Sequence, residues 1–242
     1  MTRPETPPRI RERLRGLDWR AIEDSLSGQG FARISTLLTA EECQRLIALY
    51  PDDGRFRSRV QMERHRFGAG DYAYFSRPLP ALVQDLRTHT YRHLVPIANR
   101  WSSQVSGCER FPSTLKSFLA HCHAHGQRRP TPLLLRYGSG GYNRLHRDLY
   151  GDIAFPLQLT CFLSRPRIDY TGGEFLLVEQ VPRTQLRGDA ITPRRGDMVI
   201  FPAADRPVPG RRGFLRASIR HGVSRVTRGS RFTLGVIFHD AR

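Results

Sequence analysis

The stretch Arg136-Tyr137-Gly138-Ser139-Gly140-Gly141-Tyr142-Asn143-Arg144-Leu145-His146-Arg147-Asp148 governs how the rest of this chain reads. His146 and Asp148 stand two apart, so on an extended segment both side chains face the same way. One imidazole and one carboxylate on one face are two thirds of a two-histidine, one-carboxylate facial triad. That set leaves coordination positions open on iron(II). The third ligand has to come from a different strand, because a compact site needs three converging directions. His221, 73 residues on in Ile219-Arg220-His221-Gly222-Val223, is the candidate. Arg231 follows ten residues later at the head of the apolar run RFTLGVIF, where its planar guanidinium suits a bidentate pair with a carboxylate.

Outward from these residues the texture is that of short strands. TPLLLRY, DIAFPLQLTCFLS, GEFLLVE, GDMVIF, ASIRHGVSRV and RFTLGVIFHD recur from Thr131 onward, punctuated by Gly, Pro and Asp at spacings suited to a sandwich or barrel. Alternation along LQLTCFLS presents Gln158, Thr160 and Phe162 to one face. Upstream, residues 1–14 read as a flexible arm and 17–27 as a short helix ending at Gly28 and Gly30. GFARISTLL then alternates like a strand. Thr39-Ala40-Glu41-Glu42 is a capping box opening a helix that stops at Pro51. Residues 52–80, rich in Arg and aromatics with glycines at 68 and 70, read as a loop or bent ribbon, and helices follow over about 81–101 and 114–125. The expected fold is mainly β with a helical N-terminal layer. Its parts are an arm (1–14), a helical or mixed support region (15–130) and a β core (131–242).

Composition narrows the function classes. Hydrophobic residues make up 39% of the 242 and charged residues 25%, ordinary for one soluble globular domain. No run approaches the roughly 18 apolar residues of a membrane span, and the polar start lacks the apolar core of a secretory signal. Four widely spaced cysteines (Cys43, Cys108, Cys122, Cys161) include no C-x-x-C pair, so they read as reduced thiols in a cytoplasmic protein. The charge is less ordinary: 39 Lys plus Arg against 22 acids give +17 and a pI near 11, and Lys116 is the only lysine. Such a balance favours polyanionic partners, nucleic acid among them.

At this point the chain resembles the double-stranded β-helix (jelly-roll) oxygenases that use iron and 2-oxoglutarate, in particular their prolyl-hydroxylase-like branch. The resemblance covers roughly residues 131–240. It is carried by Tyr137 and the glycine turn before His146-x-Asp148, by Gly172-Gly173-Glu174-Phe175, by Pro193-Arg194-Arg195-Gly196-Asp197 before MVIF, and by His221-Gly222-Val223 followed by Gly229-Ser230-Arg231. The run from Tyr150-Gly151 through TGGEFLLVEQ to HGVSRVTRGSRFTLGVIFHD further resembles a prokaryotic oxygenase family provisionally classed as acting on damaged nucleic acid. The resemblance implies that His146, Asp148 and His221 ligate Fe(II), and that Arg231 anchors the distal carboxylate of 2-oxoglutarate. Thr233 and Tyr137 would line the same pocket. Relatives often carry a tyrosine on the cosubstrate where this chain has Phe162, which leaves Gln158 or Tyr137 to supply that contact. The implied reaction consumes O2 and 2-oxoglutarate, with ascorbate as an auxiliary reductant, and hydroxylates a substrate C–H bond; substrate-binding residues are not identified.

Several readings stay open. The substrate is either modified nucleic acid, which would be oxidatively demethylated, or a protein side chain; a non-enzymatic jelly-roll module that binds nucleic acid is the reading from another class. His121-Cys122-His123-Ala124-His125 reads as a polar turn after a helix or as a second metal site, the former preferred. Gly172-Gly173 reads as a tight turn. The segment RHRFGAGDYAYFSR (64–77) mixes arginine with aromatic platforms, which suits an unstacked base, a lid, or core packing by Tyr72 and Tyr74. The oligomeric state is not legible.

Overall fold

Alternation along the strands sorts side chains between two faces, and that sorting builds the molecule. The computed structural model describes residues 8–105 and 110–242. The helices are α1 (Ile10–Arg15), α2 (Trp19–Gln29), α3 (Ala40–Ala48), α4 (Ala81–Val105) and α5 (Leu115–Ala124). The strands before residue 131 are β1 (Ala32–Ile34), β2 (Phe56–Gln61), β3 (Gly68–Ala69) and β4 (Asp71–Phe75). Those after it are β5 (Leu133–Tyr137), β6 (Tyr142–His146), β7 (Leu157–Phe162), β8 (Tyr170–Gly172), β9 (Phe175–Gln180), β10 (Arg187–Ile191), β11 (Met198–Pro202), β12 (Asp205–Pro209), β13 (Phe214–Val223), β14 (Val226–Gly229) and β15 (Arg231–Ile237).

The larger sheet runs β1-β11-β7-β15-β5-β4-β2, and the smaller runs β10-β9-β13-β6-β3 with β12 also paired to β13. All named pairings are antiparallel. One face of the larger sheet, with Leu134, Leu157, Leu159, Cys161, Met198, Ile200, Leu234 and Val236, packs on the helices. The opposite face places Phe162, Val199 and Phe201 against Phe175, Leu177 and Ile219 of the smaller sheet. Between the two sheets lies the space that the polar members of the same alternation enter.

The capping box forms as expected: Glu42 N–H donates to Thr39 Oγ1 (3.2 Å) and Thr39 N–H to Glu42 Oε2 (2.9 Å). Three other expectations change. Residues 10–14, read as part of an arm, are helical, because Ile10 and Leu14 are apolar at i, i+4 spacing and bury against α4, while Arg13 pairs with Glu42. The strand expected over GFARISTLL shrinks to β1, since Thr36 takes a left-handed φ of 51° and turns the chain into the cap of α3. Within residues 52–80, read as a loop or bent ribbon, the ribbon is what forms, as three strands joined by short turns. β2 and β4 extend the larger sheet and β3 the smaller, so the β core draws on chain before residue 131. No helix among the described residues is long and apolar enough to cross a membrane.

Candidate metal centre and carboxylate pocket

His146 closes β6 and sits directly across the ladder from His221 on β13. Their rings lie 4.2 Å apart between centroids. Asp148, two residues past His146, turns back between them: its Oδ2 is 3.1 Å from His221 Nε2 and its Oδ1 3.6 Å from His146 Nε2. The three ligand atoms all fall within 4.8 Å of one another, and among the described residues no other group of His, Cys, Asp or Glu converges in this way.

Neighbours set the chemical state of each ligand. His146 Nδ1 is 2.7 Å from the Arg144 carbonyl, so Nδ1–H donates there and the lone pair sits on Nε2, facing Asp148. Burial and then the adjacent His221 lower the His146 pKa, favouring the neutral imidazole that ligates metals. Burial pushes the Asp148 carboxyl up. His221, His146 and the Tyr150 hydroxyl outweigh that and hold it below the usual carboxylate range. Tyr150 donates to Asp148 Oδ1 at 2.7 Å, which leaves Oδ2 toward His221. Two imidazoles and one ionised carboxylate, all on one side, match the donor set and open geometry of a non-haem iron(II) site.

The triad borders a cavity of about 380 Å³ between the two sheets. Tyr137, Gln158, Arg231 and Thr233 line it together with His146, Asp148 and His221. Register explains the grouping: Arg231 is opposite Tyr137 on β5, and Thr233 is opposite Phe162 on β7. Arg231 is about 1% exposed, yet its Nε and Nη1 have no hydrogen-bond partner. Rings of Phe162, Tyr137 and Tyr170 surround its guanidinium at 5.4, 5.5 and 6.0 Å. A buried cation with unsatisfied donors at the edge of this cavity suits an anion. Gly173 makes room for it: φ is +67°, and a Cβ there would sit 2.9 Å from Arg231 Cδ.

Gln158 lies away from this end. It is opposite Ile237 on β15, six residues along from Arg231, and opposite Phe201 on β11, whose ring is 4.9 Å from that of His221. Its Nε2 is buried without a partner. Gln158 therefore stands beside the triad, too far along the strand to share a carboxylate with Arg231. Tyr170, whose ring lies 6.0 Å from the Arg231 guanidinium, is the tyrosine on this side of the arginine where Phe162 has no hydroxyl.

Three participants were not singled out from the sequence. Tyr170 reaches Arg231 from the β8–β14 ribbon, Tyr150 holds Asp148, and Asn143 Nδ2 donates to the Tyr137 hydroxyl at 3.2 Å. Tyr150 had a local signal, being two beyond Asp148 as Asp148 is two beyond His146. The histidine cluster at 121–125 falls on the last turn of α5, where His123 pairs with Asp240 (2.8 Å) and Cys122 is a buried free thiol. It forms no metal group. Of the aromatics in 64–77, Tyr72 and Tyr74 pack inward edge to face, while Phe67 stays at the cavity mouth.

Residues 70–241 match the model of the Oxygenase-NA family, described as an oxygenase catalysing oxidative methylation of damaged DNA. The uncharacterized protein Rv2227 of Mycobacterium tuberculosis is 44% identical over 189 residues, 78% of each chain. Among solved structures, a prolyl-4-hydroxylase from Pseudomonas putida superposes with a TM-score of 0.53 at 14% identity, covering 93% of this chain and 99% of that one. A 2OG-Fe(II) oxygenase family oxidoreductase from Burkholderia pseudomallei gives 0.54 at 14% identity, over 93% of both. At such identities the likeness speaks for the fold, which is the jelly roll.

Proposed function

The chain belongs to the Oxygenase-NA family, and on that premise we infer that it is an iron(II)- and 2-oxoglutarate-dependent dioxygenase hydroxylating C–H bonds in damaged nucleic acid. One observation carries the reading. A His-Asp-His group with ligand atoms within 4.8 Å shares a cavity with a buried arginine two of whose nitrogens lack a partner.

In this reading His146 Nε2, Asp148 Oδ2 and His221 Nε2 hold the metal, and Tyr150 keeps Asp148 turned toward it. Arg231 grips the distal carboxylate of 2-oxoglutarate, with the Tyr137, Tyr170 and Thr233 hydroxyls beside it. Bound iron and 2-oxoglutarate supply the oxidising power for C–H hydroxylation, with O2 as oxidant, CO2 and succinate as by-products, and ascorbate as an auxiliary reductant. The apolar walls, Leu133, Leu135, Phe175 and Ile237, keep water from the reacting centre. Oxygen inserted into an N-methyl C–H gives an N-hydroxymethyl group, which leaves as formaldehyde, so such chemistry removes a methyl group. Three buried thiols outside any disulfide, Cys43, Cys122 and Cys161, support a reducing, cytoplasmic setting; Cys108 lies outside the described residues.

The test is succinate release from 2-oxoglutarate under air with Fe(II) and ascorbate, with and without methylated oligonucleotides. Wild-type protein is expected to turn over slowly alone and faster with substrate, and Asp148→Ala to lose both. Wild-type protein that binds neither Fe(II) nor 2-oxoglutarate would overturn the reading.

A further inference from the structure

The cavity mouth is framed by two short segments, residues 65–67 and 144–149. Phe67 lines the cavity and yet is 48% exposed. Leu145 and Leu149 are likewise exposed large apolar side chains on either side of His146 and Asp148. Phe67 is held in place from both sides of its backbone: its N–H donates to the Met62 carbonyl (3.0 Å) and its carbonyl accepts from Arg144 N–H (2.8 Å). The next residue, Gly68, lies against β6 so closely that a Cβ would sit 2.2 Å from the Tyr142 carbonyl oxygen, at a φ of +154°. His65 stacks on the Phe67 ring, with centroids 5.3 Å apart and planes 21° from parallel. Arg66, between them, is in the left-handed region at φ 59°, an uncommon choice for a side chain of its size.

Arg66, Arg144 and Arg147 all line this mouth. Among the described residues none of the three pairs with a carboxylate, and Arg147 bonds only the Ser218 hydroxyl. Arg136, on the neighbouring sheet, is by contrast matched to Asp71. An apolar ring on a rigid perch, ringed by three uncompensated guanidiniums, sits over the one metal-type group among the described residues.

We propose that Phe67, with Arg66, Arg144 and Arg147, is a docking rim for single-stranded nucleic acid, the ring stacking on the base beside the one that enters the cavity. The inference rests on the oxygenase reading and adds the form of the substrate. A base inside a duplex has both faces covered and its reactive atoms out of reach of a buried triad, so it must leave the stack. The exposed phenyl replaces its lost neighbour, and the arginines meet the flanking phosphates. A peptide is a poorer fit. β3 covers Tyr142 and Asn143 of β6 and the Phe67 carbonyl takes the Arg144 N–H, which leaves too short an edge for a strand to add, and the rim offers no carboxylate to a basic peptide.

The test is fluorescence anisotropy of a labelled single strand, and of the duplex of the same sequence, with the full chain over a range of salt. Wild-type protein is expected to favour the single strand. Phe67→Ala weakens single-strand binding by roughly 5- to 100-fold. Its duplex binding stays unchanged, its melting temperature shows that it folds, and Phe67→Trp restores the preference. The double variant Arg144→Gln/Arg147→Gln lowers the slope of log affinity against log salt by about 1.4. A control pair on the β12–β13 hairpin, Arg211→Gln/Arg212→Gln, leaves the single-strand preference intact. Single-strand binding unaffected by Phe67→Ala, a preference for duplex, or displacement of the strand by an acidic peptide that binds more tightly each overturns the proposal. Binding that fails while wild-type succinate release persists removes the rim alone; release that fails while binding holds removes the oxygenase reading instead.

Discussion

Arg87 and Arg231 are both about 1% exposed, and they meet opposite ends of the same strand, β15. Arg87 reaches in from α4 and is engaged through Nε and Nη2. Its Nε donates to the Ile237 carbonyl (3.0 Å), and Nη2 to the carbonyls of Phe238 (2.8 Å) and His239 (3.3 Å) and to Asp240 Oδ1 (2.9 Å). Arg231, at the head of the strand, faces aromatic rings and keeps two nitrogens free. Removing a guanidinium from water costs several kcal/mol unless its donors are satisfied. At Arg87 the protein satisfies them itself, so the residue is a staple. At Arg231 two donors stay unsatisfied, and in the proposed reading the cosubstrate satisfies them, which makes the residue a receptor.

The sharpest way to break this contrast is Arg87→Met. It leaves the carbonyls of Ile237 and Phe238 without their Arg87 donor and Asp240 with only Arg77 and His123 as partners, and urea denaturation is expected to show roughly 3 kcal/mol of lost stability. Equal stability in that variant would mean the staple carries no weight. Arg231→Met should behave in the opposite sense. Without cosubstrate its melting temperature equals or exceeds that of wild type, while isothermal titration shows roughly 100-fold weaker 2-oxoglutarate binding from losing a bidentate, charge-assisted pair. The ligand-induced rise in melting temperature disappears with it.

A smaller effect separates the two ends by pH. His239, beside the Arg87 staple, is pushed down to about 4 by burial and by the Arg87 charge, from an ordinary value near 6.5. The unfolded chain then takes up a proton that the fold refuses. The stability is complete above pH 6.5 and declines as pH falls to about 4, by up to ~1.4 kcal/mol per unit. His239→Gln should flatten that slope in denaturation midpoints measured across the window. Asp240, held below the usual carboxylate range by Arg87 and His123 despite its burial, keeps a further loss at lower pH in both proteins.

The receptor end was more legible in the sequence than the staple. His146 and Asp148 announce themselves because a two-residue spacing on an extended segment is a statement about direction, and Arg231 because it heads an apolar strand. Arg87 carries no such mark: its partners lie about 150 positions away, and a helical arginine ordinarily reads as surface. The same reason hid Tyr170, whose approach to Arg231 depends on the β8–β14 ribbon folding over. β2 and β4 were obscured because FRSRVQ and DYAYF put arginine and tyrosine where an apolar alternation would show; Arg57 and Arg59 lie over the Tyr74 and Tyr50 rings instead of standing free. α1 went unseen because its six residues bury only Ile10 and Leu14. Gln158 was placed on the face that lines the cavity, while its position along the strand, opposite Ile237, was not legible, since alternation reports the side of a sheet only.

The close approach at Gly68 divides the mouth into parts that change with different freedom. Positions 65 and 67 project outward from a backbone whose hydrogen bonds are indifferent to side chain, so a lineage that exchanges residues there acquires a different rim over an unaltered metal group. Position 68 has no such latitude, because any β-carbon lifts the segment off β6 and disturbs His146 on the same strand. On the proposed docking rim, substrate range and chemistry are therefore open to selection separately, with a single glycine as the boundary between them.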